Sequence, residues 1–410
     1  MRIWTALRSP IPTPFSTSLD NSNKPLLFYQ FLGSHSLLIG LLPFYLPVYL
    51  WGMGFNLAHI SLLIGISGLS FCAALTAWQH SSRELTLKTL LCITFALEIL
   101  LVVSTFMVGA GLSAIVVIAV ANGLYNGFFW TTQRTLFLQL LGNNDSGKRY
   151  GNFQIFVTVF LKVGILVGGW LLDAGGLPWL LALSAIVGGV SSWWFYRHAS
   201  LDALHRHPII SLKAALTFKD NRGSKPVFIV DGFFLFLESH YWTLSLFMLA
   251  DENFAKLGFI VVLLALVFGV LFYLIKNTID AYAVSLVFRV SVLLYAISWV
   301  ARSFVTDSLS TQALMLMLLI VTFCSSFFRL AFNKRFFDIA QLTSGVGYLL
   351  IKSYLSQFYL GLGFIATSCT LWAVDATTMK ALIPIYWVAA LLSFSYLLYR
   401  RNEVPTKPQT

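Results

Sequence analysis

The sequence predicts an all-helical integral membrane protein, with twelve transmembrane helices in two pseudo-symmetric six-helix halves. Three observations predict it: composition, long apolar runs, and the distribution of Lys and Arg. Of 410 residues, 58% are hydrophobic and only 10% charged, against roughly 45–50% and ~25% for a soluble domain. Mean hydropathy is +0.80, and Phe alone occurs 36 times. A water-soluble fold of this size has no way to cover so much apolar surface with so few charges. Soluble enzyme, nucleic-acid module, disordered chain and disulfide scaffold are excluded on that ground. The net charge of +11 then reads as basic cytoplasmic loops, with no nucleic-acid partner. Cys72, Cys92, Cys324 and Cys369 lie in apolar stretches without regular spacing. They read as small core hydrophobes, and no metal site is expected.

A bilayer-crossing helix needs about 20 mostly apolar residues. Residues 1–25 are an N-terminal tail holding Arg2, Arg8 and a Ser/Thr/Asn cluster, with no apolar core of signal-peptide type. Twelve runs follow, at 26–50, 57–78, 88–108, 112–141, 151–173, 177–197, 226–249, 256–275, 282–303, 311–333, 344–368 and 381–399. They are continuous, where β-barrel strands would be about half as long and alternate in polarity. Residues 198–225 are a polar, basic central loop, in which Ile210–Phe218 has the pattern of a short amphipathic helix lying on the membrane. Residues 400–410 form a C-terminal tail.

With the N-terminus inside, 19 of the 27 Lys and Arg residues fall on the inner side and 3 on the outer. The three are Lys256, Arg302 and Lys380; the rest lie within spans. This bias predicts both termini in the cytoplasm and supports the span count, since a missed span would scramble it. The predicted units are thus a bundle at 26–197, the central loop, and a bundle at 226–399.

The halves keep register. Asn23-Lys24-Pro25 precedes span one and Ser224-Lys225-Pro226 precedes span seven. Asn56-Leu57-Ala58-His59-Ile60 precedes span two and Asn253-Phe254-Ala255-Lys256-Leu257 precedes span eight. Arg134 near the end of span four matches Arg329 near the end of span ten. Three matches at similar offsets argue for parallel repeats. Six plus six spans, inner termini, a long basic central loop and paired halves resemble the major facilitator superfamily over nearly the whole chain. The family's loop between spans two and three usually reads GxLADRxGRR. Here the segment is Leu75-Thr76-Ala77-Trp78-Gln79-His80-Ser81-Ser82-Arg83-Glu84. Only Arg83 fits; Gln79 stands where the acid belongs and Ser82 replaces a glycine, so the family's cytoplasmic gating lock departs from its usual form. The segment after span eight, Leu274–Asp280, departs further. Gly164, Gly168 and Gly169 in span five partly resemble the antiporter glycine pattern but lack its proline, and close helix packing through small residues is the favoured reading.

A charge at the bilayer centre costs roughly 2.5–3.5 kcal/mol on insertion scales, so it faces a cavity or a partner. Five bases (Arg134, Lys162, Arg289, Arg329, Lys352) and three acids (Glu98, Asp231, Glu238) lie within spans. Lys162 is the deepest base, about 17 Å into span five; Glu238 and Glu98 are also near the midplane, and Asp231 is near the interface. Helical spacing adds polar stripes: Gln154, Thr158 and Lys162 on span five; Asn122, Asn126, Trp130 and Gln133 on span four with Arg134 at the edge. Thr322, Ser325, Arg329 and Asn333 line span ten; Tyr348, Lys352, Ser356 and Tyr359 line span eleven. The positive surplus needs either a bound anion or a deprotonated lysine. The expectation is an anionic or carboxylate-bearing solute, a metabolite or metal chelator, gripped by Lys162 with Arg134, Arg329 or Lys352. Asn122, Asn126, Gln133 and Gln154 would add polar contacts, and Trp130, Tyr125 and Tyr359 would pack its apolar part. Structural pairing or lipid contact would explain the same bases; Arg289 fits snorkelling best.

Glu238, with Asp231 on the same face and His240 beside it, is the expected proton-coupling group, and Glu98 a further one; structural pairing with a base is the alternative. No catalytic motif, cofactor site or nucleotide loop is present, so an ion gradient, most simply of protons, is the expected energy source. The resemblance implies a monomeric secondary transporter in the inner membrane, contacting only lipid, solute and coupling ion, and working by alternating access. Two alternatives remain: an efflux pump for amphipathic compounds, and a non-transporting receptor or scaffold.

Overall fold

The structure is a computed structural model that describes residues 24–140, 146–199, 208–280, 284–305, 309–374 and 379–400. Among these residues it is all helix, without a strand. Among the described residues, nine helices are long and apolar enough to cross a membrane, and two shorter apolar helices join them. The twelfth predicted span, the seventh in order, is split by a change of helix type, so no single piece of it reaches full length.

Span one is α1 (Lys24–Leu41) and α2 (Leu46–Gly52). Pro43 lacks the N–H that a continuous helix would use, and Pro47 suits the opening turn of α2. Next come α3 (Leu57–Glu84), α4 (Leu87–Thr105), α5 (Leu112–Leu140), α6 (Ser146–Gly175) and α7 (Leu177–His198). Asn56 caps α3 by accepting from the His59 N–H at 3.1 Å. The short α8 (Leu212–Leu216) forms where an amphipathic helix is expected. Its Ala215 is fully buried and it packs on span eleven, so it is a protein-docked turn. Span seven is α9 (Ser224–Phe236), a π turn (Leu237–Tyr241) and α10 (Trp242–Leu249). The chain ends with α11 (Phe254–Asp280), α12 (Val284–Ser303), α13 (Thr311–Gln341), α14 (Val346–Ala373) and α15 (Leu382–Ser393), the last continued by a 3-10 turn (Phe394–Leu398). The expected spans thus match to within a few residues at most ends. The two tails, apart from their innermost residues, and residues 200–207 of the central loop lie outside the described residues.

Inside the first half the main packings are α3 on α5, α1 on α6, and α4 on α7. Inside the second they are α12 on α13, α12 on α15, and α9 on α14. The two largest packings between the halves are α3 on α14 and α6 on α11. Small residues permit them. A side chain at Gly361 would meet Leu69 and the Gly65 carbonyl across the α3–α14 seam. Gly164 faces the Leu37 carbonyl and Gly40 of α1, while Gly169 faces Phe254 of α11. The span-five glycines are therefore contact surface. On the outer side of α6, Ile155, Val159, Val163, Leu166 and Trp170 recur every three or four residues and are exposed, the stripe that a lipid-facing helix presents.

Candidate functional site

The second half holds a connected ion-pair network. Asp231 of α9 is 1% exposed. It accepts from Arg329 Nη1 of α13 at 2.7 Å and from the Tyr396 hydroxyl at 2.7 Å, and it pairs with Lys352 Nζ of α14 at 2.9 Å. Arg329 Nε donates to Glu238 at 2.9 Å, and its Nη2 donates to the Tyr295 hydroxyl at 3.2 Å. One guanidinium thus bridges two carboxylates from the same span. Asp231 and Glu238 are seven residues apart and so share a face. Glu238 sits in the π turn, a departure from regular helix frequently found at functional sites.

The network is closed at one end and open at the other. The Asp231 and Lys352 side chains are 1% and 6% exposed, whereas those of Arg329 and Glu238 are 17% and 20% exposed. Glu238 Oε1 has no hydrogen-bond partner among the described residues. Charged groups this deep are held by mutual pairing. The Arg329–Glu238 end is the edge at which another group can enter.

The structure brings together Arg329, Lys352, Asp231 and Glu238. Asp231, seven residues into α9, is buried among protein side chains. Arg134 of α5 lies near enough to Lys352 for their charges to interact, and its guanidinium stands 5.4 Å from the Trp130 ring. The span-four stripe is internally bonded. Asn126 Nδ2 donates to Asn122 Oδ1 at 2.8 Å, Trp130 Nε1 donates to Asn126 Oδ1 at 2.9 Å, and Asn122 donates to Ser67 at 3.2 Å. Gln133 is buried with an unpartnered Oε1, and Tyr359 is half-buried.

Other expected residues stand apart. Lys162 is half-buried beside the lipid-facing stripe of α6, and it makes no ion pair or hydrogen bond among the described residues. The side chain of Gln154 lies outside the described residues. His240 bonds Ser239 at 2.9 Å and stacks on Phe236, without contact to Glu238. Glu98 lies in the first half, 2% exposed and 3.7 Å from the fully buried His35. Phe31, Phe95 and Phe129 enclose that imidazole, and the Tyr125 hydroxyl is 3.5 Å from it. Arg289 is exposed.

Two important residues are absent from the sequence-derived set. Arg302 counts as an outer-loop residue there, but it is 3% exposed. Its side chain runs back along α12 to Ser298 at 3.1 Å and crosses to Ser325 of α13 at 2.8 Å. The signal was present as Tyr295, Ser298 and Arg302 on one helical face. Gln79 is the second. Its amide accepts from the Ile210 N–H at 2.7 Å, and it donates to the Ile210 carbonyl at 3.1 Å and the Tyr354 hydroxyl at 3.0 Å. The position where the family carries an acid therefore ties α3 to the central loop and α14 through an uncharged amide.

The architecture matches solved transporters. A point mutant of the nucleoside transporter NupG superposes with a TM-score of 0.65 at 14% identity, covering 92% of this chain and 100% of that one. A second NupG structure gives 0.63 at 15%, covering 93% and 100%. The human organic anion transporter MFSD10 (TETRAN) gives 0.57 at 14%, covering 93% and 100%. No family model matches the sequence, and no curated protein matches it. The chain has the fold of the major facilitator superfamily transporters. Its apolar helices make it a multi-pass membrane protein, and the likeness to those transporters is one of fold.

Proposed function

We propose that the chain is a proton-coupled secondary transporter of a small carboxylate-bearing solute, working by alternating access in the inner membrane with both termini cytoplasmic. The observation that carries this reading is the half-open Arg329–Glu238 pair at the end of an otherwise buried network. A solute carboxylate offers the same two acceptor oxygens as Glu238, and guanidinium binds either in the same way. When the solute takes the Arg329 Nε–H, Glu238 loses its cation. Taking up a proton removes the resulting buried negative charge. Asp231 and Lys352 keep Arg329 in position throughout. Solute and proton therefore bind together, which is the requirement for symport.

Asn122, Asn126, Trp130 and Gln133 of the facing half, with Tyr359, supply the polar and aromatic remainder of the cavity. Arg134 adds positive potential. Lys162 is assigned a secondary role, because nothing among the described residues ties it to the network. One solved neighbour is an organic anion transporter and another a nucleoside transporter; the first agrees with the charge of this site.

The test is proton uptake into proteoliposomes carrying an internal pH-sensitive dye, driven by external acetate, butyrate, lactate or citrate and compared with protein-free vesicles. At least one carboxylate is expected to drive saturable proton entry. That entry disappears in Arg329→Gln, while Glu238→Gln keeps solute binding but not proton movement. Response to none of these carboxylates, or full proton entry in Glu238→Gln, refutes the reading. Binding of lipophilic cations alone would favour the efflux alternative.

A further inference from the structure

Arg302 is the second cation of this half that points inward, and its surroundings do not neutralise it. The ion pairs among the described residues do not include it. Its Nη1 and Nη2 donate to two serine hydroxyls, and its plane stacks 4.0 Å from the Trp299 ring centroid with Trp242 at 5.1 Å. Those contacts hold a guanidinium without removing its charge. Arg302 Nε and Trp299 Nε1 are both buried without a hydrogen-bond partner among the described residues. Two orphaned N–H donors on one stacked pair, beside an unbalanced positive charge, form a site that lacks an acceptor. The carboxylate whose field reaches Arg302 is Glu238, and that group is bonded to Arg329.

Arg302 and Arg329 bond to residues about one turn apart on the same two helices. Ser325, which accepts from Arg302, precedes Arg329 by one helical turn, a rise of about 6 Å. Tyr295 accepts from Arg329, and Ser298, which accepts from Arg302, follows it by three residues. Two guanidinium groups therefore lie about one turn apart against the same pair of helices, α12 and α13.

Counting the charges joined through Asp231, Glu238, Ser298 and Ser325 gives three cations, Arg302, Arg329 and Lys352, against two carboxylates, Asp231 and Glu238; the buried Arg335 lies farther along α13, where it donates to the Tyr399 carbonyl. When Glu238 has given up Arg329 and carries a proton, Asp231 alone opposes three cations. A monoanion leaves one positive charge buried; a dianion leaves none. We infer that the solute is a dicarboxylate, with one carboxylate on Arg329 and the other on Arg302 between Ser298, Ser325 and the Trp299 N–H. The inference rests on the carboxylate reading above and specifies its solute class.

The test is equilibrium binding to the purified full-length protein, comparing butyrate with succinate, glutarate and adipate. At least one dicarboxylate is expected to bind about ten- to a hundredfold tighter than butyrate, the factor given by an added charge-assisted hydrogen bond. Arg302→Gln is expected to bring that dicarboxylate to the butyrate level and leave butyrate unchanged. Trp299→Phe, which keeps the ring and removes the N–H, weakens the dicarboxylate by a smaller factor. Arg329→Gln abolishes binding of both classes. If Arg302→Gln does not fold, the ranking of the four acids on the native protein still decides the matter. Butyrate binding as tightly as every dicarboxylate overturns this inference while leaving the carboxylate reading intact, provided Arg329→Gln abolishes it. Chloride or bromide competing as well as the dicarboxylates assigns the Arg302 site to an inorganic anion and also overturns it. If no carboxylate binds, both proposals fail together.

Discussion

Asp231→Asn isolates the charge that holds the network together. The substitution keeps the shape of the side chain and one carbonyl oxygen, so Tyr396 and Arg329 Nη1 retain an acceptor. It removes the negative charge facing Lys352, whose side chain is 6% exposed and 2.9 Å away. Deleting one partner of a buried ion pair costs about 3–5 kcal/mol, chiefly because the other charge is left uncompensated. Here the loss also loosens a junction of three spans, since Asp231 lies on α9, Arg329 on α13 and Lys352 on α14. The assay is thermal unfolding in detergent followed by tryptophan fluorescence, for which the chain offers 12 reporters. Asp231→Asn is expected to unfold several degrees below the native protein. The double variant Asp231→Asn/Lys352→Met is expected to recover most of that loss, because it removes the stranded cation as well. If Asp231→Asn melts with the native protein, or the double variant is no more stable than the single one, Lys352 does not depend on Asp231 and the argument is wrong.

Four further outcomes follow from named contacts. Gln79→Ala removes three hydrogen bonds between α3, the Ile210 backbone and Tyr354; a loss of about 1–3 kcal/mol is expected, with faster amide exchange over residues 208–216. Asp173 accepts from the backbone N–H groups of Phe254 and Ala255 at 3.3 and 2.8 Å, capping α11 from the other half. Asp173→Ala is expected to cost about 0.5–2 kcal/mol and to speed maleimide labelling of a cysteine placed at the fully buried Leu257. Gly164→Leu drives a side chain into the backbone of α1, so no folded protein is expected in size-exclusion chromatography, whereas Gly189→Leu, which meets nothing within 4 Å, stays monodisperse. Tyr241→Phe removes the hydroxyl contact to Ser61 at 2.5 Å; the fold should survive a loss of about 1 kcal/mol, with labelling at Leu257→Cys again faster.

The span pattern is legible in the sequence because hydrocarbon burial is a local requirement. Each run must satisfy it alone, so run length fixes helices such as Leu177–His198 almost to the residue. Pairing is not local. The sequence separates Arg329 and Lys352 from Asp231 and Glu238 by about a hundred positions, and only the meeting of α9 and its π turn with α13 and α14 shows that they neutralise one another. Depth counted along one helix also misleads where a side chain folds back. Arg302 ends its span, yet its bond to Ser298 carries the guanidinium inward by a helical turn. Lys162 shows the converse: its position along the helix is legible, but one side of that helix is exposed on the protein surface, and periodicity alone does not say which side. Gln79 looked like a lost motif because an acid was expected; an amide supplies both a donor and an acceptor, and the central loop presents one of each.

The contacts between the halves indicate how a site inside one half can govern access. Near the expected outer face, Asp173 caps α11 and Ser368 donates to the Ala58 carbonyl at 2.8 Å. Near the expected inner face, Thr76 and Gln79 meet the Tyr354 hydroxyl at 2.8 and 3.0 Å. Both ends are bridged, so opening either one requires its hydrogen bonds to be replaced by water, at a net cost of about 1 kcal/mol each. A solute shifts that balance only by binding one arrangement better than the other. The π turn Leu237–Tyr241 is positioned to do so. It carries Glu238, which a bound carboxylate would displace from Arg329, and three residues on it carries Tyr241, whose hydroxyl meets Ser61 of the opposite half. A π turn relaxes to regular helix by shifting one residue of register, which rotates every side chain beyond it. The element that would sense the solute therefore also holds one of the contacts that must break for the halves to part.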